Sequence, residues 1–234
     1  MNPLSGLRAR PAAALVAVVA VGMAACSSDR EAVSAPPFGT IAVAPVTIPP
    51  LASPSSTPAI PVESVAMVGD SITAGSRVAL EEGFAGLGLD DVEIDAVSGR
   101  RMLVDGSISS GLDAVEEIAE SDPPDLWVIA LGTNDVGNYR ADEYGPAVAE
   151  LLAAVPLDAP LIWVDTYLDG RPDDSAAFND VLRMSLAARG RATVVDWSAI
   201  ATEDDVLADG VHPSELGVQA FSDRVIAAVD AWSA

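Results

Sequence analysis

From Ser64 onward the sequence alternates short, β-branched apolar runs with longer stretches whose apolar residues recur at helical spacing. The runs Ser64–Val68, Val92–Val97, Leu126–Ala130, Leu161–Asp165 and Thr193–Asp196 have strand length, and the chain between successive runs is long enough for a crossover helix. Strands joined in this way lie parallel, and a parallel sheet needs helices on both faces. The helices are expected at about Ser71–Ala85, Gly111–Ala119, Ala141–Val155, Asp174–Ala188 and Glu215–Trp232. The fold class is therefore α/β, a three-layer α/β/α sandwich around a five-stranded parallel sheet. In the fourth helix Ala177, Val181, Leu182, Met184 and Leu186 read as a core stripe, and Gly190 follows as a terminator. Trp127, Trp163 and Trp197 fall on strands or strand ends, and Trp232 closes the last helix; packing is the role expected of all four.

The N-terminal part follows a different rule. Residues 1–25 contain no acid, carry Arg8 and Arg10, and then run apolar from Ala12 to Ala25, the pattern of a secretory signal. The run is too short to read as a membrane span. It ends in Met-Ala-Ala-Cys, which resembles a bacterial lipoprotein signal with Cys26 as the lipid-bearing residue, although Met23 stands where leucine is usual. The other reading is a plain secretory signal with Cys26 an incidental thiol. Residues 26–61 are rich in Ser, Pro, Ala and Thr without apolar periodicity, and read as an extended linker reaching at most ~110 Å. The ordered domain is then 62–234. The expected location is the outer face of the bacterial cytoplasmic membrane, held by a lipid anchor at Cys26, or the secreted state if Cys26 is unmodified.

Charge and composition exclude several functions. Thirty-five acids face 12 basic residues, all of them arginine, for a net charge of −23, so a basic surface for nucleic acid is absent. One cysteine makes no internal disulfide or thiolate cluster, and one histidine, His212, makes no multi-histidine metal site. No cofactor and no metal are expected, and the domain is read as a monomer. The acidic groups Asp173-Asp174 and Glu203-Asp204-Asp205, with Tyr139 and Tyr167, are candidates to rim a pocket or bind calcium. None has EF-hand spacing, and they are read as solvated loop charge.

In an open parallel sheet, ligands bind beyond the carboxyl ends of the strands. The first strand ends in Gly69-Asp70-Ser71, where Ser71 is either a helix cap or an oxygen nucleophile at a helix N-terminus. A serine needs a base, and the only histidine lies in Asp209-Gly210-Val211-His212-Pro213, three residues after a carboxylate able to orient its ring. The same segment also reads as a turn followed by a helix start. The third strand ends in Leu131-Gly132-Thr133-Asn134-Asp135, where the Asn134 amide can donate to an oxyanion; after the second strand Gly99 offers a backbone N–H. Beside it, Arg100 and Arg101 are either substrate contacts or surface arginines.

Taken together, and in this order, the GDS, glycine, GTND and DGVH blocks resemble the SGNH hydrolase superfamily, the GDSL-type esterases and lipases, over about Val65 to Ala231. The resemblance implies a flavodoxin-like arrangement of the sandwich. It also implies Ser71 as nucleophile, His212 as general base and acid, Asp209 as its orienting carboxylate, and an oxyanion hole of Ser71 N–H, Gly99 N–H and the Asn134 side chain. Val194-Val195-Asp196-Trp197, DGVHP with Gly217, and Trp163-Val164-Asp165 are similar to the extracytoplasmic SGNH domains of acyltransferases that modify envelope glycans. That likeness implies a small acyl ester, acetyl above all, on cell-envelope carbohydrate as substrate. Acyl transfer to a sugar, or glycan binding without catalysis, are the alternatives.

Overall fold

A computed structural model describes residues 61–103 and 108–233. The expected signal segment, Cys26 and all but the last residue of the expected linker lie outside them. Five strands, β1 (Ser64–Gly69), β2 (Asp91–Ala96), β3 (Leu126–Ala130), β4 (Leu161–Val164) and β5 (Ala192–Val195), form one parallel sheet in the order β2-β1-β3-β4-β5. The helices are α1 (Ser71–Gly86), α2 (Gly111–Ser121), α3 (Ala141–Ala154), α4 (Pro172–Arg189), α5 (Ser198–Ala201) and α6 (Glu215–Ser233). The strands and the five long helices lie where the sequence places them, within a few residues. The four-residue α5 is too short to leave a helical period and has no counterpart in the sequence reading.

Each sheet face has its own core. On one side Trp127, Trp163, Tyr144, Phe178 and Leu182 pack beneath α2, α3 and α4; on the other Met67, Leu80, Phe84, Trp197 and Phe221 pack beneath α1 and α6. All five residues of central β3 are buried, whereas the edge strands β2 and β5 alternate, with Asp91, Glu93 and Thr193 turned outward. Burial thus follows position in the sheet, as covered parallel strands require. Trp127, Trp163 and Trp197 are fully buried, as expected, and Trp232 packs at the margin of the second core. Among the described residues no helix is long and apolar enough to cross a membrane.

Two sequence readings need correction. Met184 is 66% exposed: only two positions beyond Leu182, it points to the opposite side of α4, and the buried face is Phe178, Leu182 and Leu186. Arg100 is neither a surface residue nor open to substrate, being 1% exposed. Its Nη1 donates to the Asp95 carbonyl at 2.8 Å, its Nη2 to both Asp95 carboxylate oxygens at 3.0 Å, and its Nε to the Ser109 carbonyl at 3.1 Å. The guanidinium joins the end of β2 to the segment before α2, and its fixed fork suits this many acceptors. Losing the partner would leave a buried charge unpaired. Because the Asp95 side chain is 32% exposed, the expected cost of Asp95→Ala is about 2–3 kcal/mol, below the ~3–5 kcal/mol of a pair buried on both sides. Urea denaturation of the two proteins checks this, and a loss under 0.5 kcal/mol would contradict it.

Candidate active site

The turn from β1 into α1 decides what Ser71 is free to do. Asp70, not Ser71, is the N-cap: its Oδ1 accepts the Ile72 N–H at 2.9 Å. Ser71 is therefore the first helical residue, its N–H has no intrahelical acceptor, and its hydroxyl is not used for capping. Ser71 Oγ lies 3.0 Å from His212 Nε2, across 141 residues of chain. The other ring nitrogen, Nδ1, lies 2.9 Å from Asp209 Oδ2.

Short-range bonds shape the His212 loop. Asp209 Oδ1 accepts the N–H groups of Val211 at 3.0 Å and His212 at 2.8 Å, so one carboxylate folds the backbone and orients the ring together. The His212 amide, then its ring, then the Val211 amide pull the Asp209 carboxyl down to about 2, although the side chain is 58% exposed. The loop is tied to its surroundings by Asp169 N–H on the Gly210 carbonyl at 2.9 Å and Ala208 N–H on the His212 carbonyl at 2.8 Å. Gly217, at the start of α6, lies against the Val206 carbonyl, where a side chain would collide.

The loop after β3 completes the edge. Gly132 has φ +131° and lies against the Phe178 ring, a backbone that side chains rarely adopt. Asn134 Nδ2 donates to Asp70 Oδ2 and to the Arg100 carbonyl, both at 3.1 Å. Gly99 sits in the turn from Val97 to Arg100 with φ +80°, and among the described residues its N–H has no partner. Ser71, Asn134, Val136, Leu168, Arg171 and His212 line one open pocket of about 380 Å³. The structure thus brings together Ser71, Asn134 and the Asp209–His212 pair from three separate sequence blocks.

Other residues fall elsewhere. Asp173 and Asp174 occupy the first turn of α4, where acids complement the helix N-terminus, and Asp174 also pairs with Arg171 at 3.2 Å. Tyr139 packs at the margin of the first core, and Tyr167 donates to Asp169 at 3.4 Å. Glu203, Asp204 and Asp205 are exposed in the turn after α5. Two site residues escaped the sequence reading. Arg171, just before Pro172, is a cation in the pocket wall, and Asp70 sits inside the GDS block itself, where its neighbour drew the attention.

Asp70 is 1% exposed. Burial pushes its carboxyl up to about 6, against the opposing pull of the Ile72 N–H, His212 and Asn134. It is still largely ionised at neutral pH, at a cost.

The profile of the GDSL-like Lipase/Acylhydrolase family matches residues 67–220. No curated protein sequence matches the chain significantly. Among solved structures, the C-terminal catalytic domain of Streptococcus pneumoniae peptidoglycan O-acetyltransferase A, carrying a methylsulfonyl adduct, is similar at 20% identity and TM-score 0.55, covering 73% of this chain and 94% of that one. A carbohydrate acetylesterase family member from Sinorhizobium meliloti is similar at 19% and 0.58, covering 73% and 99%. The native M. smegmatis aryl esterase is similar at 18% and 0.59, covering 73% and 99%. At these identities the structures share the fold.

The Asp70 shift has a consequence for stability with a definite sign. Below about pH 4 the group is protonated in both folded and unfolded chains. Between about 4 and 6 the unfolded chain releases the proton first, so stability falls as pH rises and stays low above 6, by about 3 kcal/mol for the shift from 3.8 to about 6. Asp70→Asn lacks this term. The melting temperature of the variant minus that of the wild type is expected to climb by several degrees between pH 4 and 7; a difference that stays flat would contradict the buried, ionised carboxylate.

Proposed function

The chain belongs to the GDSL-like lipase/acylhydrolase family and is an SGNH-type ester hydrolase, and from that premise we propose that Ser71, His212 and Asp209 form its catalytic triad and that its substrates are small acyl esters, acetyl above all, on cell-envelope carbohydrate. The observation that carries the reading is the unbroken chain of contacts from Ser71 Oγ through both ring nitrogens of His212 to Asp209, at 3.0 and 2.9 Å.

The roles follow from the charges. Asp209 is anionic throughout the working range and holds the proton of His212 on Nδ1, which leaves the Nε2 lone pair facing Ser71. As Ser71 Oγ attacks the ester carbonyl, its proton passes to Nε2 and the carbonyl π pair moves onto oxygen. The imidazolium then protonates the departing alcohol and an acyl-serine remains. Water repeats the sequence: His212 takes its proton, hydroxide adds to the acyl carbon, and the proton returns to Ser71 as the acid leaves. The developing oxyanion is served by Ser71 N–H at the start of α1, Gly99 N–H and the Asn134 amide.

Hydrolysis is the reading favoured over transfer because the His212 side chain is 48% exposed, which leaves the proposed base accessible to water. The small-ester reading is supported by the modest, open pocket, and the carbohydrate reading by what the Sinorhizobium and Streptococcus neighbours are named for. All the proposed groups come from one chain, so a monomer suffices. The signal-like N-terminus and Cys26 support an exported, lipid-anchored protein.

The protein is expected to hydrolyse 4-nitrophenyl acetate and acetylated sugars, with Ser71→Ala and His212→Ala folded but reduced at least ~10³-fold. Asn134→Ala should lose about 10²–10³-fold in kcat. A strong preference for long-chain lipid esters would overturn the substrate reading, and inactivity on every ester would favour glycan binding or acceptor-dependent transfer. Metabolic labelling with a lipid precursor should mark the wild type and leave Cys26→Ser unlabelled; equal labelling would refute the anchor.

A further inference from the structure

The Asn134 amide has two hydrogens, and both are engaged: one on Asp70 Oδ2 and one on the Arg100 carbonyl, each at 3.1 Å. A donor to the oxyanion must therefore let one of them go. A hydrogen bond to a carboxylate is roughly twice as strong as one to a neutral carbonyl, so the Arg100 carbonyl yields and the Asp70 bond stays. We propose that Asp70 is a positioning residue for the reaction: its carboxylate anchors one N–H of Asn134 and thereby aims the other at the oxyanion. This rests on the reading of Asn134 as an oxyanion donor.

The alternative role for Asp70 is to cap α1 and nothing more. Asparagine and serine cap helices as well as aspartate does, and neither carries a charge that must be kept ionised away from water. A carboxylate at a 1% exposed position is a poor choice for capping alone. Its two oxygens divide the work. Oδ1 holds the Ile72 N–H of the helix that carries Ser71, and Oδ2 holds Asn134 from the β3 loop. One planar group thus sets the nucleophile's helix and the oxyanion donor relative to each other.

The group's surroundings bear on its titration. His212 faces it from the loop before α6, and Asp165, at the end of β4, lines the same small cavity. Arg100 reaches the Gly69 carbonyl beside it at 3.5 Å but is neutralised by Asp95, and Asp135 beyond Asn134 accepts the Met102 N–H. Protonation of Asp70 removes the charged acceptor that holds Asn134, so activity falls on the acid side as Asp70 takes up its proton.

The test is a comparison of Asp70→Asn, Asn134→Ala and the double variant on 4-nitrophenyl acetate. Asp70→Asn keeps the shape and the capping oxygen but turns an NH2 toward the NH2 of Asn134, donor against donor. Its kcat is expected to fall about 10–100-fold with KM changed less than about threefold, and its acid limb to become shallower as the Asp70 proton disappears from it. The double variant should be no slower than Asn134→Ala, because Asp70 acts through that amide. Asp70→Ser, which keeps a cap without the carboxylate, should reproduce the kcat loss if Asp70→Asn is poorly folded. Wild-type kcat in a folded Asp70→Asn, or losses that multiply in the double variant, would overturn the proposal while leaving Asn134 as oxyanion donor. Wild-type kcat in Asn134→Ala would overturn the oxyanion reading and this proposal with it.

Discussion

Parallel strands that end on one edge of a sheet leave carbonyls and helix N-termini there with no regular partners, and buried polar side chains must satisfy them. In this protein that demand organises the whole carboxyl edge. Arg100 takes the carbonyls of Asp95 and Ser109, Asp135 accepts the Met102 N–H, and Asn179 brackets Thr166 by accepting its N–H and donating to its carbonyl. The hydroxyls of Thr133 and Thr166 pair at 2.5 Å across the ends of β3 and β4. The candidate site is the part of this network that reaches solvent.

The same device appears twice. At the end of β1, Asp70 accepts the Ile72 N–H at the start of α1; at the end of β4, Asp165 accepts the N–H of Ser198 at 2.6 Å and its hydroxyl at 2.7 Å, at the start of α5. Burial raises both carboxyls, which is the cost of placing an acid where a backbone N–H needs an acceptor. Their second partners differ. Asp165 is matched by Arg183, which also binds Asp196, a charge balance suited to fixing the edge of the sheet. Asp70 is matched instead by the neutral amide of Asn134 and lies near His212, so its charge bears on the groups proposed to react.

How much of this could be read in the sequence depends on the range of the interaction. Strands and long helices showed because their signal is a local period repeated over many residues. The His212 loop showed because Asp209 and His212 are three apart and meet within one turn. Arg100 did not: nothing local distinguishes an exposed arginine from one whose acceptors lie five and nine residues away around a loop. Met184 lies outside the stripe because near-helical spacing tolerates a residue two positions beyond Leu182, whereas the angle on the helix turns it to solvent. Asp70 is masked in sequence by its neighbour, since a serine at a strand-to-helix turn is also a good cap, whereas in the structure the acid takes that role.

The two carboxylates nearest the proposed nucleophile are set by opposite means. Asp209 is exposed and yet pulled down to about 2, because backbone amides of its own loop bind the anion; its charge is secured by short-range bonds and does not require a closed pocket. Asp70 is buried and pushed up to about 6, kept in place by the packing of two strand ends around it. The first arrangement orients the proposed base, which must stay open to water and substrate. The second fixes the proposed oxyanion donor. A site open to solvent keeps its groups in place when each is anchored from below or from its own loop, and these two acids supply one anchor of each kind for the groups proposed to react.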